Sequence, residues 1–352
     1  MSNSPLEPDQ NAILSEESEI DETAGKDTPE WEAEAQAGRV IDPESWLKAP
    51  PDVGEGFRAG FVAVVGRPNV GKSTLVNALV GQKVSITTPR PQTTRQAVLG
   101  IYTTEKQQMV LIDTPGIHQK AVRQINKMMN RIALGSLAHA DLVLLLLDSA
   151  RLTDEDERVM AHLEGCQAPV IVVLNKIDLI SEKAKLLPLI DLLKDKVKFV
   201  DIVPLSALKG EGLEQLESCV YENLHESGML YDPDQITDRT DRFLIAEIVR
   251  EKLMLFLEQE LPYSMAVEIE KLDKDYHKGW QIHALIWVER DSQKGIVIGK
   301  QGSMLKKIGI SARREIEEAF QEHVDLRLWV KVKSGWADDQ RALKSFGIQE
   351  LS

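Results

Sequence analysis

Cysteine is almost missing from this chain: among 352 residues only Cys166 and Cys219 occur. Two thiols with no paired spacing supply neither a disulfide framework nor a metal knuckle, and they read as reduced residues in a reducing compartment. No run of about 18 apolar residues is present, so the pattern predicts no membrane-spanning helix. The most apolar stretch, Leu142 to Leu147 with its flanks, has the length of a buried strand. A basic-then-apolar leader and an Arg-rich transit segment are missing too, and the expected location is the cytoplasm. Basic residues are scarce in one place. Residues 1–55 hold 15 Asp and Glu against Lys26, Arg39 and Lys48, a net of −12, which leaves −2 for the other 297 residues. The formal charge of −14 therefore belongs to an acidic extension and says little about the partners of the remainder. A peripheral membrane contact through surface charge stays open, with no amphipathic anchor in its favour.

What is present divides the chain. Residues 1–56 are rich in Glu, Asp, Ser, Pro and Ala, too poor in apolar anchors to offset ordering entropy, and are expected to be disordered. Trp31 and Trp46, their only large aromatics, read as solvated. From Phe57 apolar runs (61–65, 109–112, 142–147, 170–174, 199–205) alternate with helical patterns (73–80, 123–139, 154–163). Mostly continuous apolar strands between helices predict a doubly wound α/β domain with a mostly parallel sheet over 57–230. The polar, Pro-containing stretch 231–240 reads as a linker. Residues 241–345 then give an α-β-β-α-α-β order: a helix over 243–260, half-exposed strands at 265–270 and 281–288, a helix, a glycine loop, a helix over 310–320 and a strand at 326–332.

Gly66-Arg-Pro-Asn-Val-Gly71-Lys72-Ser73 fits the G-x-x-x-x-G-K-[ST] pattern between a predicted strand and a predicted helix. Glycines let the backbone curl so that the amides of Gly66, Asn69, Val70, Gly71, Lys72, Ser73 and Thr74 converge on phosphate oxygens. The helix that follows aims its positive end at the same point. Lys72 adds a cation at the β and γ phosphates, and Ser73 a hydroxyl oxygen for Mg²⁺. Asp113-Thr-Pro-Gly116 follows a strand, with Asp113 reaching Mg²⁺ through water and the Gly116 amide meeting the γ-phosphate. In Pro91-Gln-Thr-Thr-Arg95 one threonine is expected to close over Mg²⁺. Thr94 is favoured over Thr93, although spacing does not decide between them. Lys72, Thr94 and Gly116 are the expected catalytic set.

The base is read elsewhere. Asn175-Lys176-Ile177-Asp178 follows the strand at 170–174. The Asp178 carboxylate can accept from guanine N1–H and the exocyclic amine, a donor pair that adenine lacks. Asn175 would tie this loop to the phosphate loop, and the Lys176 stem would cover the base. Ser206-Ala207-Leu208 would offer an amide to guanine O6. The expected cofactors are GTP or GDP and Mg²⁺.

In the second part Gly299-Lys300-Gln301-Gly302 lies between two helical segments, as the G-x-x-G turn of a KH domain does. The glycines allow close approach to a sugar-phosphate backbone, and Lys300 would contact phosphate. From Lys294 to Arg314 there are six basic residues, Lys306 and Lys307 among them, and no acidic one, although 242–352 holds 18 of each sign. Basicity is thus concentrated where single-stranded RNA would lie. The α-β-β-α-α-β order makes this an α+β type II KH domain. Trp287 and Trp329, on predicted strands, read as core. His277 and His283 lack ligand spacing.

With these pieces in order the chain resembles the Era-type GTPase family, over roughly 57–347. The matching residues are 66–74, 91–95, 113–116, 175–178 and 206–208, and in the second part 247–253, 260–264 and 298–302. The resemblance implies a GTP-hydrolysing switch, a monomer, that binds the 3′ end of 16S rRNA and assists assembly of the small (30S) ribosomal subunit, with no DNA partner. It also implies that Asn69 either helps hold K⁺ near the β/γ bridge or only stabilises its loop. Two other readings stay open, a GTPase in tRNA modification and a GTP-dependent RNA-binding module that barely turns over. Where many small GTPases carry a water-orienting Gln, this chain has Ile117 followed by His118. Slow intrinsic turnover is expected.

Overall fold

A computed structural model of the chain describes residues 53–117, 123–258, 261–275 and 279–348. The acidic extension up to residue 52, with Trp31 and Trp46, lies outside the described residues, as do His118 and His277.

Six strands form the first sheet: β1 (Arg58–Val65), β2 (Val98–Thr103), β3 (Gln107–Asp113), β4 (Leu142–Asp148), β5 (Val170–Asn175) and β6 (Asp201–Pro204), in the order β2-β3-β1-β4-β5-β6. All pairs are parallel except β2 with β3. The continuous apolar runs of β1, β3, β4 and β5 are explained by helices on both faces. On one face α1 (Lys72–Val80) and α5 (Leu213–Asn223) bury Leu75, Val76, Leu216 and Val220 against Val62, Leu111 and Leu144. On the other, α3 (Asp154–His162) and α4 (Leu187–Lys194) cover Ala63, Leu145 and Val172 with Val159, Met160 and Leu193. The edge strand β2 was not expected. Val98, Ile101, Tyr102 and Thr103 are strand formers, and only Gly100 interrupts the run.

The second sheet has β7 (Met265–Asp275), β8 (Gly279–Val288) and β9 (Val324–Val332), with β7 antiparallel and β9 parallel to the central β8. Over it lie α6 (Asp241–Phe256), α7 (Asp291–Ile298) and α8 (Ser303–Phe320), whose Ile248, Leu253, Val297, Ile308, Ala312 and Ile316 meet Ile282, Ile286 and Val330. This is the KH arrangement expected, with longer strands and an α8 that begins seven residues earlier than 310. A short helix, α9 (Gln340–Ser345), follows. Trp329 departs from expectation. It is 41% exposed, on the sheet surface away from the core, edge-on to His283 at 4.9 Å. Alternation along β9 puts Val330 inward and its neighbour outward. Trp287 is half-buried and donates from Nε1 to Glu268 Oε2 at 2.8 Å.

The two halves share a core. Ile112 of β3 and Met129 and Ile132 of α2 (Gln124–Ala138) pack with Trp336, Ala337, Leu343 and Ile348 from the chain's end. The segment 231–240 runs over β2 and β3: Gln108 receives the amides of Leu230 and Tyr231 and donates to Tyr231 O, and Ile101 N donates to Ile236 O. Among the described residues no helix is long and apolar enough to cross a membrane.

Candidate nucleotide site and nucleic-acid interface

The phosphate loop joins β1 to α1. Gly71 (φ 103°) caps α1 in a left-handed conformation, and a Cβ there would run into Asn175 Nδ2. Only glycine allows that approach. Asn175 Nδ2 donates to Val70 O at 2.8 Å, while its Oδ1 accepts from Lys176 N (2.8 Å) and Ala207 N (3.0 Å). One amide side chain thus joins the phosphate loop, the Asn175–Asp178 loop and the Ser206–Leu208 loop. Lys176 Nζ donates to Asn69 O (2.8 Å) and to Asp148 Oδ2 (3.0 Å). Asp178 is exposed, and its Oδ1 accepts from Ser206 Oγ at 2.6 Å. Ser206 and Ala207 are buried, whereas Leu208 is exposed.

Lys72 is buried, with Nζ donating to the carbonyls of Gly66 and Arg67, each at 3.1 Å. Burial, aided by Arg67 and opposed by Asp113, lowers its pKa to about 8. Asp113, fully buried at the end of β3, accepts from Ser73 Oγ at 2.7 Å and from Thr94 Oγ1 at 3.4 Å, and the two hydroxyls are 2.9 Å apart. Burial raises the Asp113 pKa against the opposing pull of Ser73 and Lys72. Its Oδ1 has no hydrogen-bond partner, and neither has the nearby Ser85 hydroxyl. A buried carboxylate oxygen left over beside two hydroxyls suits a hard octahedral cation that keeps waters and takes further ligands from phosphate. Among the described residues no group of three His, Cys, Asp or Glu could hold a metal without such help. Thr94 belongs to this cluster and Thr93 does not: Thr93 Oγ1 donates to Arg90 O (2.8 Å) and bonds Thr88 Oγ1 (2.7 Å). At Gly116 a Cβ would sit 2.8 Å from Pro68 Cγ, so this loop lies directly against the phosphate loop. Ile117 is partly buried against the β4–β5 face of the core. Asn69 (φ 63°) donates from Nδ2 to Pro89 O at 3.0 Å.

In the second half Gly299 (φ 71°), Gln301 (φ 52°) and Gly302 (φ 78°) form a tight turn between α7 and α8, with Lys300 and Gln301 exposed. A Cβ on Gly302 would meet nothing within 4 Å, so a ligand backbone has room there. Lys306 and Lys307 follow the turn early in α8. With Phe256, Ser311, Arg314 and Glu315 they line an open cleft of about 560 Å³, and Lys307 Nζ sits 4.4 Å from the Phe256 ring centre.

Two family descriptions match: a "50S ribosome-binding GTPase" over residues 61–176 and a KH domain over 260–337. GTPase Era of Yersinia enterocolitica is 49% identical over 291 residues, 83% of this chain and 96% of that protein. GTPase Era of Yersinia pestis is equally similar. The chain belongs to the Era GTPase family. Two solved Era structures superpose with a TM-score of 0.80. An Aquifex aeolicus Era variant bound to GDP and AlF4⁻ shares 40% identity and covers 83% of this chain and 100% of its own. An Era in complex with MgGDPNP and nucleotides 1506–1542 of 16S ribosomal RNA shares 41% and covers 83% and 99%.

As an Era-family enzyme the protein hydrolyses GTP to GDP and phosphate, with Mg²⁺. Sequence reasoning missed several side chains that hold this Era-type site together. Asp148, at the end of β4, pairs with Lys176 and Arg67, and Arg67 reaches Asp156 in the first turn of α3 at 3.1 Å. The position of Asp148 directly after the apolar run 142–147 was the available signal. Arg95 and Arg250 fall in the stretches 91–95 and 247–253 that carried the resemblance, and Glu247 stands three residues before Arg250, but the backbone carbonyls that both arginines grip leave no residue-type signal.

Proposed function

We propose that this Era-family GTPase is a switch that binds the 3′ end of 16S rRNA through its KH half and assists assembly of the small ribosomal subunit. The observation that carries it is the Ser73–Thr94–Asp113 cluster in one body with the Gly299–Gly302 turn. Gly66 to Thr74 cradle the phosphates, with Lys72 neutralising developing charge on the γ-phosphoryl during in-line attack by water. Ser73, Thr94 and Asp113 hold Mg²⁺, the last through water. The Gly116 amide meets the γ-phosphate. Asn175, Lys176 and Asp178, with an amide of the Ser206–Leu208 loop, select guanine. Gly299 to Gly302 clamp single-stranded RNA, with Lys306 and Lys307 extending the basic track. The working division is a GTPase domain over 57–230, a strap over 231–240 and a KH domain over 241–345, acting as a cytoplasmic monomer.

Filter binding to labelled small-subunit rRNA fragments, with GDP or a non-hydrolysable GTP analogue, tests the reading. Tighter binding to the fragment bearing the 3′ end with the analogue is expected, and equal retention of unrelated RNA in both states would defeat it. Asn69 still has Oδ1 to offer a K⁺ ion beside its bond to Pro89. Hydrolysis at fixed ionic strength should then be faster in K⁺ than in Na⁺, whereas equal rates leave Asn69 as a loop brace.

A further inference from the structure

The loop that carries Thr94 is held from the opposite half of the molecule. Arg95 is buried, and its guanidinium donates to three backbone carbonyls just before and at the start of β7: Met265 O at 2.6 Å, Pro262 O at 3.1 Å and Tyr263 O at 3.2 Å. On the other side of Thr94, the Thr93 carbonyl accepts from Arg250 of α6, which Glu247 braces at 2.5–2.6 Å. Further back, Glu251 of α6 accepts from Thr87 N at 2.9 Å and pairs with Lys83 at 2.7 Å. Thr94 is thus bracketed by two anchors on the KH half while its hydroxyl lies 2.9 Å from Ser73 Oγ.

We propose that Arg95 is a positioning residue through which the KH half sets Thr94 in place for Mg²⁺ and the γ-phosphate, so that the RNA-binding half completes the GTP site. This rests on the GTPase reading above. The chemistry favours arginine. A rigid planar fork can engage three carbonyls at once, whereas a lysine ammonium is a point charge on a flexible stem. The carbonyls themselves lie on the backbone, so a shift of 261–265 relative to the loop breaks the whole fork. By linkage, whatever moves that segment changes the affinity for Mg²⁺ and GTP, and the reverse.

Full-length protein and its Arg95→Ala and Arg95→Lys variants are compared in three measurements: binding of a fluorescent non-hydrolysable GTP analogue across a Mg²⁺ titration, binding of GDP, and hydrogen exchange of residues 83–97 without nucleotide. Both variants should weaken analogue binding, and raise the Mg²⁺ needed for half-saturation, by roughly ten-fold, within the usual range of coupling between sites. GDP affinity should stay within about two-fold, since Thr94 serves the triphosphate state. Amides of 88–97 should lose protection. A variant that melts cooperatively yet keeps the wild-type Mg²⁺ dependence and analogue-to-GDP ratio overturns the proposal. If the Arg95 variants fail to fold, Arg250→Gln, which removes the Thr93 anchor, takes the same measurements, and an unchanged ratio there overturns it equally. Wild-type protein that binds neither nucleotide would instead overturn the GTPase reading itself.

Discussion

In the function proposed above Asp178 selects guanine with two oxygens, one of which already accepts from Ser206 Oγ. Charge-assisted hydrogen bonds contribute about 1.5–3 kcal/mol each, so loss of the carboxylate should cost roughly 10² to 10⁴ in affinity. Asp178→Asn should therefore weaken GDP binding by at least about 10² while leaving the melting temperature near wild type, as fluorescent-nucleotide titration and circular dichroism would check. Lys72 makes a pH prediction. Its pKa near 8 without nucleotide rises when phosphate charge surrounds it. Below pH 8 the ammonium is charged in both states and no proton is linked to binding. Above 8 the free protein must take up a proton, so affinity should fall as pH rises, by at most about ten-fold per unit. Calorimetry at pH 8.5 in buffers of different ionisation enthalpy should report that uptake. At this scale the motifs were legible because phosphate, Mg²⁺ and guanine each dictate residue types at short spacing. The choice of Thr94 over Thr93 was not, since two adjacent hydroxyls differ only in where the chain turns them.

Among the elements, the Gly299–Gly302 turn separates two glycines that look alike in sequence. At Gly299 a Cβ would sit 2.7 Å from Met304 Cβ and 2.9 Å from Met304 N, at φ 71°. Gly299, with ψ at 175°, lies in a region open essentially to glycine alone, so Gly299→Ala should destabilise the KH half by about 1–3 kcal/mol from backbone strain alone, more with the clash. Gly302 is left-handed with open space around it. Gly302→Asp, a residue that tolerates this conformation, should keep the fold and weaken RNA binding by about an order of magnitude through charge repulsion and blocked approach. Thermal melts and filter binding distinguish the two. The buried strands β1, β3, β4 and β5 were readable because a sheet covered on both faces needs continuous apolar runs. α6 was expected to reach residue 260 but ends at Phe256, where Leu257 turns extended and enters the core at 2% exposure. Local propensity favours helix there, and packing overrides it.

At the scale of the molecule the shared core under α2 joins the two halves. Trp336 is fully buried there, edge-on to Phe346 at 5.3 Å, with Nε1 donating to Ser264 O at 3.3 Å. Trp336→Ala should cost about 3–5 kcal/mol. Differential scanning calorimetry should show the wild type melting in one transition and the variant melting earlier, with the halves separating into two. The sequence by itself determined the class of each half, the nucleotide and the ion, because phosphate cradles, base-reading loops and strand periodicity are local patterns with local causes. Only the tertiary structure decided which hydroxyl joins Asp113, which glycine has room around it, that Trp329 faces outward, and that Arg95 grips the other half. The Arg95 grip depends on carbonyls 167 to 170 residues away, and a backbone acceptor leaves no mark of itself in the amino-acid code; the other outcomes turn on how the folded backbone orients residues nearer in the chain.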